Sequence, residues 1–313
     1  MSNIRSDRTA EQVAGEIPMV EIETTDFAGW DDCLRVSNGT IECIATTAVG
    51  PRILSLGFVD GRNLLEVIEE DAGETGGDEW RFYGGHRLWH APEDDERSYV
   101  PDNDPIEYEP RENGVSLVEP APVETGIEKE IVVEMADDAP YMTVTGRLTN
   151  EGMWPVELAP WSITRMDAGG MGIIPLSREG DGLLPDRNVT LWPYVDMDDD
   201  RLSFDSEAIR IEQDTDGDLL KVGASGADEW VAGVLDGVAF HKSFEYQPDA
   251  TYPDRGCAVE IFTDDSTLEV ETLAPLTTLE PGESVDHVER WTLVDGIEST
   301  ATEDLLETLG DVA

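Results

Sequence analysis

The chain has 313 residues, long enough to bury a large core, and 39% of them are hydrophobic, which excludes a disordered polyacid. It carries 70 Asp and Glu against 20 Lys and Arg, a formal net charge of −50. With no cluster of Lys and Arg to lay on phosphates, nucleic acid is excluded as a partner and an anionic membrane surface is disfavoured.

In chain order, residues 1–18 read as an N-terminal extension, with a short acidic-faced helix expected over 5–15. The extension lacks the apolar core of a secretion signal. No run reaches the roughly 18 apolar residues of a spanning helix, so a soluble cytoplasmic protein is expected. From 19 to 297 apolar and polar residues alternate at period two in "NGTIECIATT", "YMTVTGRLTN", "LLKVGAS", "EWVAGVLDGVAF", "CAVEIFTDD", "STLEVETLAPL" and "VDHVERWTLV", all of which read as strands. Turn signals such as "VDGRN", "TNEG" and "EPGES" bound them. "DTDGDLL" has the early aspartate spacing of a calcium loop, but Leu219 stands where glycine is required and Ser225 closes it, so a hairpin turn is expected instead. Residues 298–313 form an acidic helix or tail in which Leu305, Leu306 and Leu309 share a face and Gly310 is the stop. Many strands, scarce helices and no linker predict an all-β fold, one large antiparallel domain built as a sandwich of broad sheets.

Cys33, Cys43 and Cys257 are odd in number and form no CxxC, so buried reduced thiols are expected. The densest cluster of unusual side chains is "WRFYGGHRLWHAPEDDE", residues 80–96. His86 and His90 would share a face on a helix, but two glycines and Ala91-Pro92 make the segment a poor helix. On a strand the two lie about 13 Å apart at roughly 3.3 Å per residue, so no metal site is expected. Acid/base chemistry on a polar substrate fits better, since one imidazole and one carboxylate can move protons at two atoms of one molecule. Tryptophans beside such groups suit sugars, whose C–H faces lie against aromatic rings. The bland alternatives are that Trp89, Trp161 and Trp192 are core, and that Glu269 and Glu271 mark a solvent face. Lys242 stands out because Lys129 and Lys221 are the only other lysines; it is expected either in a pocket beside His241 or on the surface.

Four segments in order carry a resemblance. "AVGPRILSLGFVDGRNLL" resembles the opening of galactose mutarotase-like proteins, and "YGGHRLWHAPE" is similar to the Gly-Gly-x-x-x-Trp segment of hexose-phosphate mutarotases. "RLTNEGMWPVELAPWSIT" and "LEVETLAPLTTLEPGESVDHVERWTLV" resemble a later strand pair and the closing segment of that superfamily. The resemblance spans about residues 35–295 and implies a single β-supersandwich, with aldose 1-epimerase-type chemistry in which a glutamate takes the anomeric proton and a histidine protonates the ring oxygen. Glu271-Thr272 matches the Glu-Thr of the general base, and His86 and Arg87 fall where sugar contacts lie. The acid histidine has no counterpart, because its place reads "APWSIT", with Trp161 or Pro160 there.

The expectation is therefore a sugar-active isomerase that needs no cofactor and exists as a monomer or homodimer. Glu271 and His86 are its catalytic candidates, and Arg87, Trp89, His90, Trp161, Arg165, His241 and Lys242 bind a small-molecule sugar. The alternatives are a non-catalytic carbohydrate-binding protein that keeps the groove without the acid, or an accessory role on acidic sugars.

The acids are spread along the chain instead of gathered in one tail, as in cytoplasmic proteins of salt-accumulating halophilic archaea. Raising KCl from about 0.1 M to about 1 M shortens the Debye length from about 10 Å to about 3 Å and screens this repulsion. The thermal unfolding midpoint, followed by circular dichroism, is expected to rise steeply over that range.

Overall fold

The computed structural model describes residues 20–176, 183 and 185–312. The helix expected over 5–15 lies outside them. The strands are β1 (Glu21–Phe27), β2 (Trp30–Ser37), β3 (Ile41–Thr46), β4 (Arg52–Phe58), β5 (His86–Ala91), β6 (Glu107–Arg111), β7 (Gly114–Glu119), β8 (Ile127–Met135), β9 (Tyr141–Asn150) and β10 (Val156–Met166). They continue with β11 (Met171–Pro175), β12 (Val189–Leu191), β13 (Leu202–Phe204), β14 (Ala208–Glu212), β15 (Leu220–Ala224), β16 (Trp230–Leu235) and β17 (Val238–Phe244). The last are β18 (Val259–Thr263), β19 (Leu268–Leu273), β20 (Thr277–Leu279) and β21 (Ser284–Asp295).

They form two antiparallel sheets. The first runs β1-β2-β3-β4-β5-β10-β19-β18-β15-β12, with β20 paired to β10; the second runs β13-β14-β11-β16-β17-β21-β9-β8-β7-β6. The sheets pack face to face as an all-β sandwich, with β10 against β9 and β21 and β16 against β19. Close approach is built in: a Cβ at Gly146, Gly172 or Gly233 of the second sheet would fall 2.8, 2.6 or 2.1 Å from Leu88, Ile261 or Met166 of the first. One core of Val, Ile and Leu from both sheets fills the space between them.

β9 shows the alternation of an ordinary sandwich strand, every second residue buried. β5, β15 and β19 are buried at every position, and β10 at nearly every one. One face of these four strands meets the second sheet, so the other must be covered too. That second covered face is where the groove described below is built.

The expected C-terminal helix spans Thr302–Leu309 and buries Leu305 and Leu309 on the outer face of the second sheet, beside Trp230 and Ile173. The turn expected at "DTDGDLL" is present, but it is not a hairpin. It carries the chain from β14 in the second sheet to β15 in the first. Turn residues specify a reversal without specifying which sheet the next strand joins.

Gly84 and Gly85 have φ of 95° and 65°. The close approach they permit is to the chain itself: a Cβ would lie 2.3 Å from the Glu66 carbonyl oxygen and 2.2 Å from that of Ile53. They anchor the start of β5 between two neighbouring segments. Gly85→Ala is expected to destabilise the protein by about 1–3 kcal/mol, combining a left-handed backbone with a clash. Urea denaturation compared with wild type checks this.

Candidate functional site

The side chains facing away from the second sheet on the central strands form rows set by antiparallel register. Arg165, Glu269, Phe262 and Lys221 are successive cross-strand partners on β10, β19, β18 and β15. Arg87, Ile163, Glu271 and Glu260 make a parallel row on β5, β10, β19 and β18, and Trp89, Trp161 and Leu273 a third. Each row is two residues along the strands from the next, so all three share one face. Over this face lies a cavity of about 350 Å³, walled further by Phe82, Glu93, Tyr99, Trp192, Tyr194 and Leu219.

Charges in the floor are paired in two groups. Arg87 Nη1 and Arg165 Nη1 both donate to Glu269 Oε1, at 3.1 and 3.3 Å, and Arg165 Nε donates to Glu66 Oε2 at 2.8 Å. Burial pushes the Glu269 carboxyl upward, but Arg87 and Arg165 outweigh it and hold the group below its ordinary range. In the second group Lys221 Nζ donates to Glu271 Oε2 at 2.9 Å and lies 2.8 Å from Glu260 Oε2. Burial lowers the ammonium's affinity for its proton, but the two glutamates reverse this and hold Lys221 charged. Trp161 Nε1 donates to the same Glu271 oxygen at 2.7 Å, which leaves Oε1 without a partner. Burial raises Glu271 above the ordinary carboxylate value, partly offset by Lys221.

Aromatic rings lie against each cation. The Arg87 guanidinium carbon is 4.6 Å from the Trp89 ring, and that of Arg165 is 4.8 Å from Phe82. Lys221 Nζ sits between Trp161 and Trp192, at 4.8 and 4.9 Å. Trp89 and Trp161 are themselves 4% and 3% exposed and belong to the floor, whereas Phe82, Tyr99 and Tyr194, at 41%, 36% and 42%, form an open aromatic rim.

Of the residues expected at the site, the groove brings together Glu271, Arg87, Trp89, Trp161 and Arg165. The other four lie elsewhere, and the expectation that His86 joins Glu271 and Arg87 at the sugar is corrected. Neighbouring residues on a strand face opposite ways, so His86 points into the sandwich. There its Nδ1 is 2.9 Å from Thr164 Oγ1 and its ring lies edge-on to Trp291. Burial, with Lys242 nearby, lowers His86 to about 3. His90 shares that face, beside Lys129 of the second sheet, and burial lowers it to about 4. Lys242 is neither on the surface nor in the groove: it crosses from β17 between the sheets to Glu289 at 2.9 Å and to the carbonyls of Ser162 and Val270 at 3.1 and 3.3 Å. His241 stacks on Trp230, a residue of the apolar cluster on the outer side of the second sheet. The remaining histidine, His287, is between the sheets at Thr272 and Glu289.

Sequence reasoning did not single out Lys221, Glu260 or the rim residues Phe82, Tyr99 and Tyr194 as parts of one site. The rarity of lysine marks Lys221 as much as Lys242. Nothing in the sequence marks Glu260 among 70 acids.

No family model and no curated protein matches the sequence. Solved structures do match in shape. A galactose mutarotase-like protein from Lactobacillus casei superposes with a TM-score of 0.53 at 11% identity, covering 84% of this chain and 100% of its own. A galactose mutarotase-like protein from Clostridium acetobutylicum gives 0.53 at 10% identity, covering 88% and 99%. A TPR-domain containing protein from Parabacteroides distasonis gives 0.56 at 13% identity over 86% of this chain, which spans only 48% of that protein's length. The architecture is thus the galactose mutarotase-like sandwich.

Lys221→Met would leave two buried glutamates without their cation, at a cost of about 3–5 kcal/mol near neutral pH. Because both carboxyls are already raised, the loss should shrink as pH falls and they take up protons. Thermal unfolding of the variant and wild type across acidic and neutral buffers measures both effects.

Proposed function

We propose that this groove binds a small-molecule sugar and that the protein is an aldose epimerase-like isomerase of the cytoplasm of a salt-accumulating cell. The carrying observation is the combination of an open aromatic rim with a floor of paired cations and carboxylates. Aromatic faces hold sugar C–H surfaces while charged donors and acceptors bond hydroxyls. The shared fold of galactose mutarotase-like proteins supports the same assignment.

In this reading Arg87 and Arg165 orient sugar hydroxyls, and Phe82, Tyr99 and Tyr194 stack on the ring. Glu271 takes the proton of the anomeric hydroxyl on its unpartnered Oε1. The ring oxygen must gain a proton as the ring opens; no histidine faces the groove, and among the donors that do, the Lys221 ammonium is assigned this role because it already lies on Glu271. Reclosure on the other face of the carbonyl returns both protons, and no net proton is consumed.

One observation favours the second reading, a sugar-binding protein without turnover. Glu271 is wholly buried, covered by Lys221 and Trp161, so the Lys221 side chain has to move before an anomeric hydroxyl can reach it.

Anomer exchange measured by polarimetry on a panel of anomerically pure sugars in molar KCl separates the two. Acceleration by wild type, reduced about 10²–10⁴-fold in Glu271→Gln with sugar affinity retained, is the result expected of the isomerase. Sugar binding by calorimetry without acceleration would leave the binding-protein reading standing.

A further inference from the structure

Every cation in the groove is already committed. Arg87, Arg165 and Lys221 are ion-paired with four glutamates, Glu66, Glu260, Glu269 and Glu271, at 2.8–3.3 Å. Two more carboxylates, Glu93 and Asp264, line the cavity, and neither has an ion pair with any described residue. Burial raises Glu66, Glu260 and Glu271, yet protonating all three would bring the balance of charge only to zero. An anionic substituent on the sugar, a phosphate or a carboxylate, would therefore meet no free cation. It would have to take one from a buried glutamate and leave that carboxylate unpaired.

The rim suits the opposite charge. Cations of this chain lie against aromatic rings: Arg52 on Tyr83, Lys242 on Trp291, Arg290 on Tyr141, and the three groove cations on Trp89, Phe82, Trp161 and Trp192. The negative face of a ring attracts a cation most where water is excluded. Tyr99 and Tyr194 also line the groove, and no cation of the described residues lies over either ring. The Tyr99 hydroxyl donates to Glu93 Oε1, which fixes that carboxylate at the same rim. Asp264 lies at the other end of the groove, because β5 and β18 run in opposite directions and each acid follows the end of its strand. Its Oδ1 is taken by the Ser266 hydroxyl and by the N–H groups of Ser266 and Thr267. The open carboxylate is Glu93.

We propose that the sugar bound in this groove carries an ammonium group, seated on Glu93 and against the Tyr99 and Tyr194 rings, and that sugar phosphates and uronic acids are rejected. This names the substrate class of the groove and rests on the sugar-binding reading, not on turnover. A charge-assisted bond to Glu93 and a ring face engage the ammonium, and the sugar hydroxyls are left for Arg87 and Arg165. "YGGHRLWHAPE", although similar to a segment of hexose-phosphate mutarotases, brings no free cation for a phosphate, because Arg87 is held by Glu269. An accessory role on acidic sugars, one alternative left by the sequence, has no cation to rest on either.

Calorimetric titration in about 1 M KCl tests this, since a Debye length of about 3 Å leaves only contact pairs unscreened. The probes are D-glucosamine and D-galactosamine, their N-acetyl forms, the parent hexoses, the hexose 6-phosphates and the uronic acids. An amino sugar should bind about tenfold tighter than its parent hexose and its uncharged N-acetyl form. No phosphate or uronate should bind more tightly than the parent. Glu93→Gln, at an exposed position, should bring the amino sugar to within about twofold of the hexose and leave hexose affinity unchanged. A sugar phosphate or uronate bound more tightly than the amino sugar, hexoses bound as tightly as amino sugars, or an amino-sugar preference that survives Glu93→Gln would overturn the proposal while the sugar-binding reading stands. If none of the probes binds, the sugar-binding reading itself fails, and the substrate class fails with it.

Discussion

Charge that enters the interior of this protein has to be neutralised within a few ångströms, because the strands that carry it are shielded from water on both faces. β5, β10, β15 and β19 face the second sheet on one side and the groove's covering residues on the other. On the groove side Arg87 and Arg165 share Glu269, and Lys221 holds Glu260 and Glu271. On the inner side Lys242 meets Glu289, whose carboxyl is buried yet held at about 2 by Lys242 and the two nearby histidines. Buried ion pairs are poor sources of net stability, since desolvation offsets the attraction. What they supply here is geometry: each cation has its carboxylate fixed beside it.

The two charged layers are joined through the backbone. Lys242 donates to the carbonyls of Ser162 and Val270, which precede or follow Trp161 and Glu271 by one residue. Ser162 Oγ and Thr272 Oγ1 donate to Glu289, the partner of that lysine. The strand segments that present Trp161 and Glu271 to the groove are therefore fixed from behind by hydrogen bonds reaching across the sandwich. A groove floor made of strands backed in this way holds its side chains more rigidly than loops would.

The fold was legible because it depends on a simple periodicity. Alternation over residues 141–150 marks β9 as a strand with one buried face, and the structure shows that pattern residue by residue. The site was legible in part. Glu271, Arg87, Trp89, Trp161 and Arg165 fall on one face. His86, one residue from Arg87, does not, and a period of two makes that single step decisive. The location of His86 could not be read from "GGHRLWH", because a strand buried on both faces gives no polar alternation to say which side is which. Glu260 was beyond reach for a different reason: its significance lies in cross-strand register with Glu271 and in the ion pair with Lys221 of a neighbouring strand, neither of which is local in sequence.

Lysine usage ties the charge of the whole chain to its interior. All three lysines are buried, at 7%, 6% and 0% exposure for Lys129, Lys221 and Lys242, and each pairs with buried glutamate. The described arginines are divided: Arg52, Arg87 and Arg165 are buried, while Arg62, Arg97 and Arg147 lie in surface pairs with aspartate. An ammonium is a compact point charge with three donors, which fits between strands where several oxygens converge on one spot. A planar guanidinium spreads its donors over a wider fork and suits the bidentate surface contact that Arg147 makes with Asp286. A surface so rich in carboxylates has no need of lysine for solubility, so the residue remains only where its shape is required. In this chain a lysine therefore marks a buried carboxylate, and the one that gathers two of them, at the border of the groove, is Lys221.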